Sequence, residues 1–135
     1  MKQARFILTL DSTGALVVGV FILLFSSLIS NLNGWQESFT HIEGFANLVY
    51  GSYSGILLLL FRKKNLHRVF VFILIIANSL WGLQCFAQAW RLKEEATHIG
   101  TAVLLLEGIY LIVLAYLEAK FVLPQCVSDS PEYRK

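Results

Sequence analysis

The chain has 135 residues, of which 56% are hydrophobic and 15% are charged, and its mean hydropathy is +0.64. A soluble domain averages about 45–50% apolar and about 25% charged residues, so this composition indicates a membrane protein. The formal charge is +2, and no basic stretch is interleaved with aromatic residues. The sequence therefore does not favour nucleic-acid binding.

Apolar segments long enough to cross a bilayer follow one another with short loops between them. A transmembrane helix needs about 20 predominantly apolar residues. The four segments cover about residues 6–30, 43–61, 69–90 and 98–123. We predict an all-α fold, an antiparallel bundle of four transmembrane helices. The bundle forms a single membrane domain over residues 1–123, and residues 124–135 form a polar cytoplasmic tail.

Local sequence signals suggest where these helices begin and end. The turn-forming run 31–34, Asn-Leu-Asn-Gly, is expected to end the first helix. Thr40 and Glu43 have the spacing of a capping box, which predicts that the second helix begins there. Thr97 is the expected N-cap of the fourth helix, and Pro124 is expected to end it.

The distribution of basic residues predicts the orientation of the chain. Nine of the 11 Lys and Arg residues lie near the N-terminus, in the turn 61–68 or at the C-terminal end. The other two are Arg91 and Lys93, in the third loop. Because cytoplasmic loops carry an excess of Lys and Arg, both termini are predicted to be cytoplasmic.

The first two helices carry stripes of small residues. Ser12 and Gly19 are one such stripe, and Gly51 and Gly55 form a GxxxG pattern in the second helix, beside Asn47. Small residues at these spacings are typical of helix–helix contacts in membranes. A cavity lined by the stripes is the alternative interpretation.

The most informative residue is Glu107, near the middle of the last apolar segment. An ionisable group at that depth costs roughly 2.5–3.5 kcal/mol on insertion scales, so it is expected to face a partner or water. Asn78 and Trp81 of the third helix lie at a similar depth, about 15 Å from the surface at 1.5 Å per residue. They can therefore meet Glu107, and Tyr110 lies one turn away from it. A binding site and a purely structural hydrogen bond both fit this cluster.

Asp11 has two interpretations. It can lie inside the bundle as a second acidic group, or Asp11 or Ser12 can cap a helix that begins near Thr13. The candidate ligand-binding residues are Asp11, Asn47, Asn78, Trp81, Glu107 and Tyr110.

No pattern in the sequence indicates a metal, a cofactor or catalysis. His41 and His98 lie near helix starts without a thiol or carboxylate partner at metal-ligand spacing. Cys85 and Cys126 fit no CxxC motif, and a disulfide between them is not expected. With no nucleophile–base pairing and no phosphate loop, we expect a protein that is not an enzyme and has no cofactor.

The pattern resembles a group of small bacterial four-helix integral membrane proteins of uncharacterised function. The shared features are an Asp entering the first helix (Asp11), Asn78-x-x-Trp81 in the third helix and an acid or amide midway along the fourth. The resemblance covers roughly residues 5–118. It implies the four-helix fold and a site shared by Asp11, Asn78, Trp81 and Glu107, and no activity. The general plan is also similar to the DoxX-like and emopamil-binding-like membrane proteins.

These observations lead to two hypotheses of function. The first is a non-enzymatic, multi-pass protein of the bacterial inner membrane that binds a small hydrophobic or amine ligand, or a partner in a larger membrane complex. The second is a proton-coupled transporter or channel that acts as a homo-oligomer. The lipid bilayer is the expected partner in both, and nucleic acid in neither.

Overall fold

The computed structural model describes residues 2–127, which are almost entirely helical and contain no β-strand. Five α-helices follow in order, and the last continues into a π-helical turn and a 3-10 turn. The helices are α1 (Lys2–Leu24), α2 (Ser26–Asn33), α3 (Glu37–Arg62), α4 (Arg68–Arg91) and α5 (His98–Leu117). The π-helical turn covers Glu118–Val122 and the 3-10 turn covers Leu123–Gln125.

Within residues 2–127, four helices are long and apolar enough to cross a membrane: α1, α3, α4, and α5 with its extension to Gln125. Their 18-residue windows have hydropathies between 1.5 and 2.2. This confirms the all-α prediction with four potential spans. The chain has the features of a multi-pass integral membrane protein.

The first helix differs from the prediction at both ends. It begins at Lys2, and the segment predicted as one helix to residue 30 is interrupted at Phe25, after which α2 continues to Asn33. Gly34 then ends α2 in the left-handed conformation (φ 67°), and its N–H donates to Ser30 O. Because Asp11 lies nine residues inside α1, the structure excludes Asp11 as an N-cap.

The predicted capping box at Thr40 and Glu43 is wrong. Helix α3 begins at Glu37, and both residues are buried inside it. The Thr40 hydroxyl donates to the carbonyl of Gln36 (3.3 Å), one turn earlier in the chain. The motif is a local pattern, whereas here both side chains face the interior of the bundle. The Thr97 cap is confirmed, since its hydroxyl accepts from the Gly100 N–H at 3.1 Å.

Small residues bring α1 and α3 into close antiparallel contact. A Cβ on Gly19 would lie 2.9 Å from the Gly44 carbonyl oxygen, and one on Gly51 would lie 2.8 Å from the Leu16 nitrogen. The Ser12 hydroxyl donates to the Gly51 carbonyl at 2.8 Å. The stripes on these two helices are therefore a packing surface.

Helices α4 and α5 form a second antiparallel pair. A Cβ on Gly82 would meet the Gly108 carbonyl at 3.1 Å, and one on Gly108 would meet the Gly82 carbonyl at 3.0 Å. Two tyrosines join this pair to the first. Tyr50 and Tyr53 of α3 donate their hydroxyls to backbone carbonyls of α4, at Ala77 (3.1 Å) and Phe70 (2.9 Å) respectively.

Apolar clusters close both ends of the bundle. The larger cluster lies at the end that carries Lys2 and the α3–α4 turn, which we call the basic end, and includes Leu8, Leu57 and Leu66. The smaller one is built on Trp35, Ala89 and Leu104 at the opposite end.

Part of the predicted polar tail packs against the basic end. Cys126 is buried in the larger apolar cluster, and the Val127 N–H donates to the Leu66 carbonyl at 2.9 Å. The tail therefore does not leave the bundle at residue 124. The rest of the predicted tail, 128–135, lies outside the described residues.

Candidate functional site

A cavity of about 550 Å³ lies between the α1–α3 pair and the α4–α5 pair. Each of the four long helices contributes to its wall. The lining residues are Asp11, Gly14, Ala15, Val18, Asn47, Tyr50, Asn78, Trp81, Val103, Leu106, Glu107, Tyr110 and Leu111. The volume is within the range of about 300–1,000 Å³ that small-molecule sites occupy.

All six residues that the sequence singled out line this cavity. Helix α1 contributes Asp11, α3 contributes Asn47, α4 contributes Asn78 and Trp81, and α5 contributes Glu107 and Tyr110. Antiparallel packing brings residues from opposite ends of the chain to the same depth. Their shared location is an observation, and ligand binding by them is a prediction.

Glu107 faces the cavity, and a second acid lies behind it. Glu43 of α3 does not line the cavity, is 2% exposed, and lies close enough for its charge to act on Glu107. Each of the two acids has a nearby donor group. The Asn47 amide lies within hydrogen-bonding reach of Glu107 and also donates to the Glu43 carbonyl at 3.0 Å, while the Trp81 indole lies within reach of the Glu43 carboxyl.

Asp11 faces the cavity nearer the basic end, and it too has a second acid behind it. The carboxyl of Glu118, from the π-helical turn, lies within hydrogen-bonding reach of the Asp11 carboxyl. Asp11 is 3% exposed and Glu118 is fully buried. The Ser54 hydroxyl lies within reach of Asp11 and 3.4 Å from the Leu8 carbonyl, and it has one proton to donate.

The partner of Asn78 is a correction to the sequence analysis. Its amide nitrogen lies 3.2 Å and 3.1 Å from the two oxygens of Glu118, not beside Glu107 as we expected. Glu107 and Glu118 are eleven residues apart on α5 and its extension, about 16 Å at 1.5 Å per residue. The acids therefore form two pairs, Glu43–Glu107 and Asp11–Glu118, at different depths.

Aromatic rings line the space between the two acid pairs. The centroids of the Tyr50 and Trp81 rings lie 6.0 Å apart, and the angle between the ring planes is 52°. Tyr110 of α5 lies on the Asp11 side of the cavity, close enough to interact electrostatically with Asp11 and Glu118. The faces of such rings attract organic cations.

The cavity has one exposed side, between α1 and α5. The lining residues with the largest exposure are Val18, Val103, Leu106 and Tyr110, and all four belong to these two helices. At Gly14 a Cβ would meet only the Tyr110 hydroxyl oxygen, at 3.7 Å. Since the apolar clusters occupy both ends of the bundle, this side faces the region that lipid chains fill around a membrane protein.

The part of the chain that the structure describes gives the four acids no basic partner. Within residues 2–127, no Lys, Arg or His side chain forms an ion pair with any of them, and the ion pair found there joins Lys93 to Glu94 at 3.8 Å. Three buried acceptors in the cluster also receive no hydrogen bond from the described residues, namely Asp11 Oδ2, Glu43 Oε2 and Asn78 Oδ1. Buried acceptors without donors are costly, so this region is suited to a group that brings positive charge or hydrogen-bond donors.

Sequence reasoning missed three functional candidates. Tyr50 follows Asn47 by three positions and so shares its helical face, which is a signal that could have identified it. Glu43 was assigned to a helix cap. Glu118 is absent from the predicted site, and the π-helical turn that presents it has no signature in the sequence.

Among the described residues, no group of three or more His, Cys, Asp or Glu side chains is arranged to hold a metal ion. Comparison with protein-family models, with curated proteins and with solved structures gives no match to this chain. The family resemblance noted from the sequence therefore stays a prediction. The functional argument rests on the geometry of the cavity.

Proposed function

We propose that this protein is a non-enzymatic binding protein of the bacterial inner membrane whose cavity holds a lipophilic organic cation, such as an amine with an apolar body. The observation that carries this proposal is the cavity itself. Two acids, two amides and three aromatic rings face a space whose other lining residues are apolar, and the described residues supply no basic group to neutralise the acids.

The chemistry of the wall supports a cation rather than a neutral lipid. A carboxylate in a low-dielectric site strongly favours a nearby positive charge. The rings of Tyr50, Trp81 and Tyr110 can contact the charged group, each such contact contributing about 0.5–2 kcal/mol. Val18, Val103 and Leu106 can contact an apolar body.

The exposed side between α1 and α5 supports entry from the bilayer. Buried apolar clusters lie at both ends of the bundle, which favours the side between α1 and α5 over the helix axis as the route of entry. A lipophilic cation concentrates in the membrane, where this opening lies.

The proposal can be tested with three probes of one shape. They are phenylbutyl-dimethylamine, its permanently charged trimethylammonium counterpart, and the neutral hydrocarbon in which carbon replaces the nitrogen. We expect both cationic probes to bind the purified protein in nanodiscs, and the neutral probe to bind at least tenfold more weakly. Isothermal titration calorimetry measures the cations, and thermal stabilisation compares all three.

Variants locate the site. Glu107→Gln is expected to weaken binding of the trimethylammonium probe about tenfold or more, because it removes the carboxylate that balances the charge. Trp81→Leu is expected to weaken it about two- to thirtyfold through loss of the ring contact. Glu37→Gln is the matched control, since Glu37 is an exposed acid at the start of α3. Equal binding of the charged and neutral probes, or wild-type binding by Glu107→Gln, would contradict the proposal.

A further inference from the structure

The two acid pairs differ in the hydrogen-bond donors around them. In the Glu43–Glu107 pair, Trp81 and Asn47 provide N–H groups within reach of the two carboxyls. Those donors can stabilise carboxylate anions. In the Asp11–Glu118 pair, the two carboxyl groups approach each other directly.

A direct contact between two carboxyl groups requires a proton. An ionised carboxylate only accepts hydrogen bonds, so one member of a hydrogen-bonded pair must be protonated. Asn78 places its amide nitrogen against both oxygens of Glu118, which favours the anion there. Asp11 Oδ2 receives no hydrogen bond from an N–H or O–H group of residues 2–127. The Ser54 hydroxyl likewise lies within reach of Asp11. Each carboxyl therefore has one donor, and the pair holds one proton between Asp11, which lines the cavity, and Glu118 behind it.

We propose that the Asp11–Glu118 pair is a proton site, and that an organic cation entering the cavity displaces its proton. In this exchange the O–H bond of the protonated carboxyl breaks, its electron pair stays on that carboxylate, and the proton leaves to the buffer. One positive charge replaces another, so the net charge of the cavity does not change. This inference rests on the proposed cation site and adds its coupling to a proton.

The surroundings leave few other sources for the proton. Tyr110 of α5 faces the pair, and α4 contributes the neutral amide of Asn78. The other titratable groups nearby lie around the second acid pair: Glu107 of α5, Glu43 and Tyr50 of α3 and Cys85 of α4. Among the described residues no basic side chain forms an ion pair with the pair's carboxyls, so a bound cation is the group that can stabilise both carboxyls as anions.

The number of protons released can be measured directly. The trimethylammonium probe is titrated into the wild-type protein in nanodiscs, in phosphate and in Tris, whose ionisation enthalpies differ. The difference in binding enthalpy gives the proton count, and we expect about one per bound cation. Since binding releases a proton, affinity should rise with pH, by up to tenfold per pH unit.

Two matched variants assign the proton to its pair. In Glu118→Gln the new amide can donate to Asp11, so the contact between the two side chains no longer needs a proton. We expect this variant to bind the probe, to release nearly no protons on binding and to lose the pH dependence of its affinity. Glu43→Gln removes the corresponding acid of the other pair, and its count should stay near one. Asp11→Asn is the second test of the same pair, with an expected count near zero.

Several outcomes would overturn the inference. One is binding with no proton release in the wild-type protein, and another is an undiminished count in both Glu118→Gln and Asp11→Asn. A zero count with an affinity that depends on Na⁺ would assign the pair to sodium instead. If the probe does not bind the wild-type protein at all, the proposed function itself fails.

Discussion

Asn78 is the residue at which α4 meets the terminal π-helical turn. It is fully buried, and within residues 2–127 its amide supplies the N–H donor that lies 3.1–3.2 Å from the two Glu118 carboxyl oxygens. In a membrane interior water cannot replace such a donor. The side chain therefore has a structural role besides its place in the cavity wall.

Replacing Asn78 by Leu is expected to destabilise the protein by about 1–3 kcal/mol, because Glu118 keeps its burial and loses its donor. The measurement is the free energy of unfolding in mixed micelles titrated with a denaturing detergent. Ser79→Ala is the control on the same helix. Its hydroxyl bonds only the Ile75 carbonyl of its own helix (2.7 Å), so little change is expected. Equal stability of the two variants would contradict this role for Asn78.

At the scale of the helices, contact between α1 and α3 depends on the absence of side chains at particular positions. A Cβ on Gly19 would meet the backbone of α3, at Gly44 O and Leu48 N, both 2.9 Å away. Backbone atoms cannot rotate away as a side chain can. Any side chain at residue 19 must therefore push the two helices apart.

We predict that Gly19→Ala destabilises the protein by about 1–3 kcal/mol, the usual cost of overpacking. Gly14→Ala lies on the same helix and provides the comparison. Its new methyl group would have an ordinary contact with the Tyr110 hydroxyl at 3.7 Å, and a helical Gly-to-Ala change favours the helix by roughly 0.5–1 kcal/mol. In thermal unfolding in detergent, we expect the unfolding temperature of Gly14→Ala to equal or exceed that of the wild type and that of Gly19→Ala to be lower. The reverse order would contradict the packing argument.

The helices could be predicted from the sequence because hydropathy and length are properties of each segment by itself. The interruption at Phe25 could not, since no Pro or Gly marks it. The capping-box error has the same origin, because Thr40 and Glu43 match a local motif while their side chains are directed by contacts with other helices. Local patterns report helix ends poorly when the same residues are buried by tertiary packing.

The site was predictable to the extent that polar residues in apolar helices must find one another. That argument brought Asn78 and Trp81 of the third helix together with Glu107 of the fourth, whereas the site they share with Asp11 was implied by the family resemblance. It could not assign the pairs, because Asn78 lies at a depth from which it can reach either Glu107 or Glu118. The choice depends on the π-helical turn, which rotates Glu118 towards α4 and has no signature in the sequence.

For the whole molecule, the arrangement of helices in two tight pairs explains why a cavity exists. Glycines bring the backbones close within each pair, whereas between the pairs larger groups such as Tyr50 and Tyr53 hold α3 and α4 together. The apolar clusters at the two ends fix the spacing. Polar side chains can then face the remaining space without contacting lipid.

The same arrangement places the basic residues of the described chain mainly at one end. Lys2, Arg5 and the α3–α4 turn, with Arg62, Lys63 and Lys64, lie there, whereas Arg91 and Lys93 lie at the other end. The positive-inside rule predicts that the basic end faces the cytoplasm. If it does, the Asp11–Glu118 pair is the one nearer the cytoplasm, and the proton it releases has the shorter path to that side.

Orientation can be tested with single cysteines at exposed positions of opposite ends. We expect an impermeant maleimide to label Gln36→Cys in intact cells and Lys63→Cys only after the membrane is opened. The wild-type protein is the control for Cys85 and Cys126, which are both buried. Burial raises the pKa of the Cys126 thiol, an effect that nearby Arg68 partly offsets, so little reactive thiolate forms at neutral pH and the background should be low. Labelling of Lys63→Cys in intact cells, with Gln36→Cys protected, would show the opposite orientation. The Asp11–Glu118 pair would then lie closer to the outer side of the membrane.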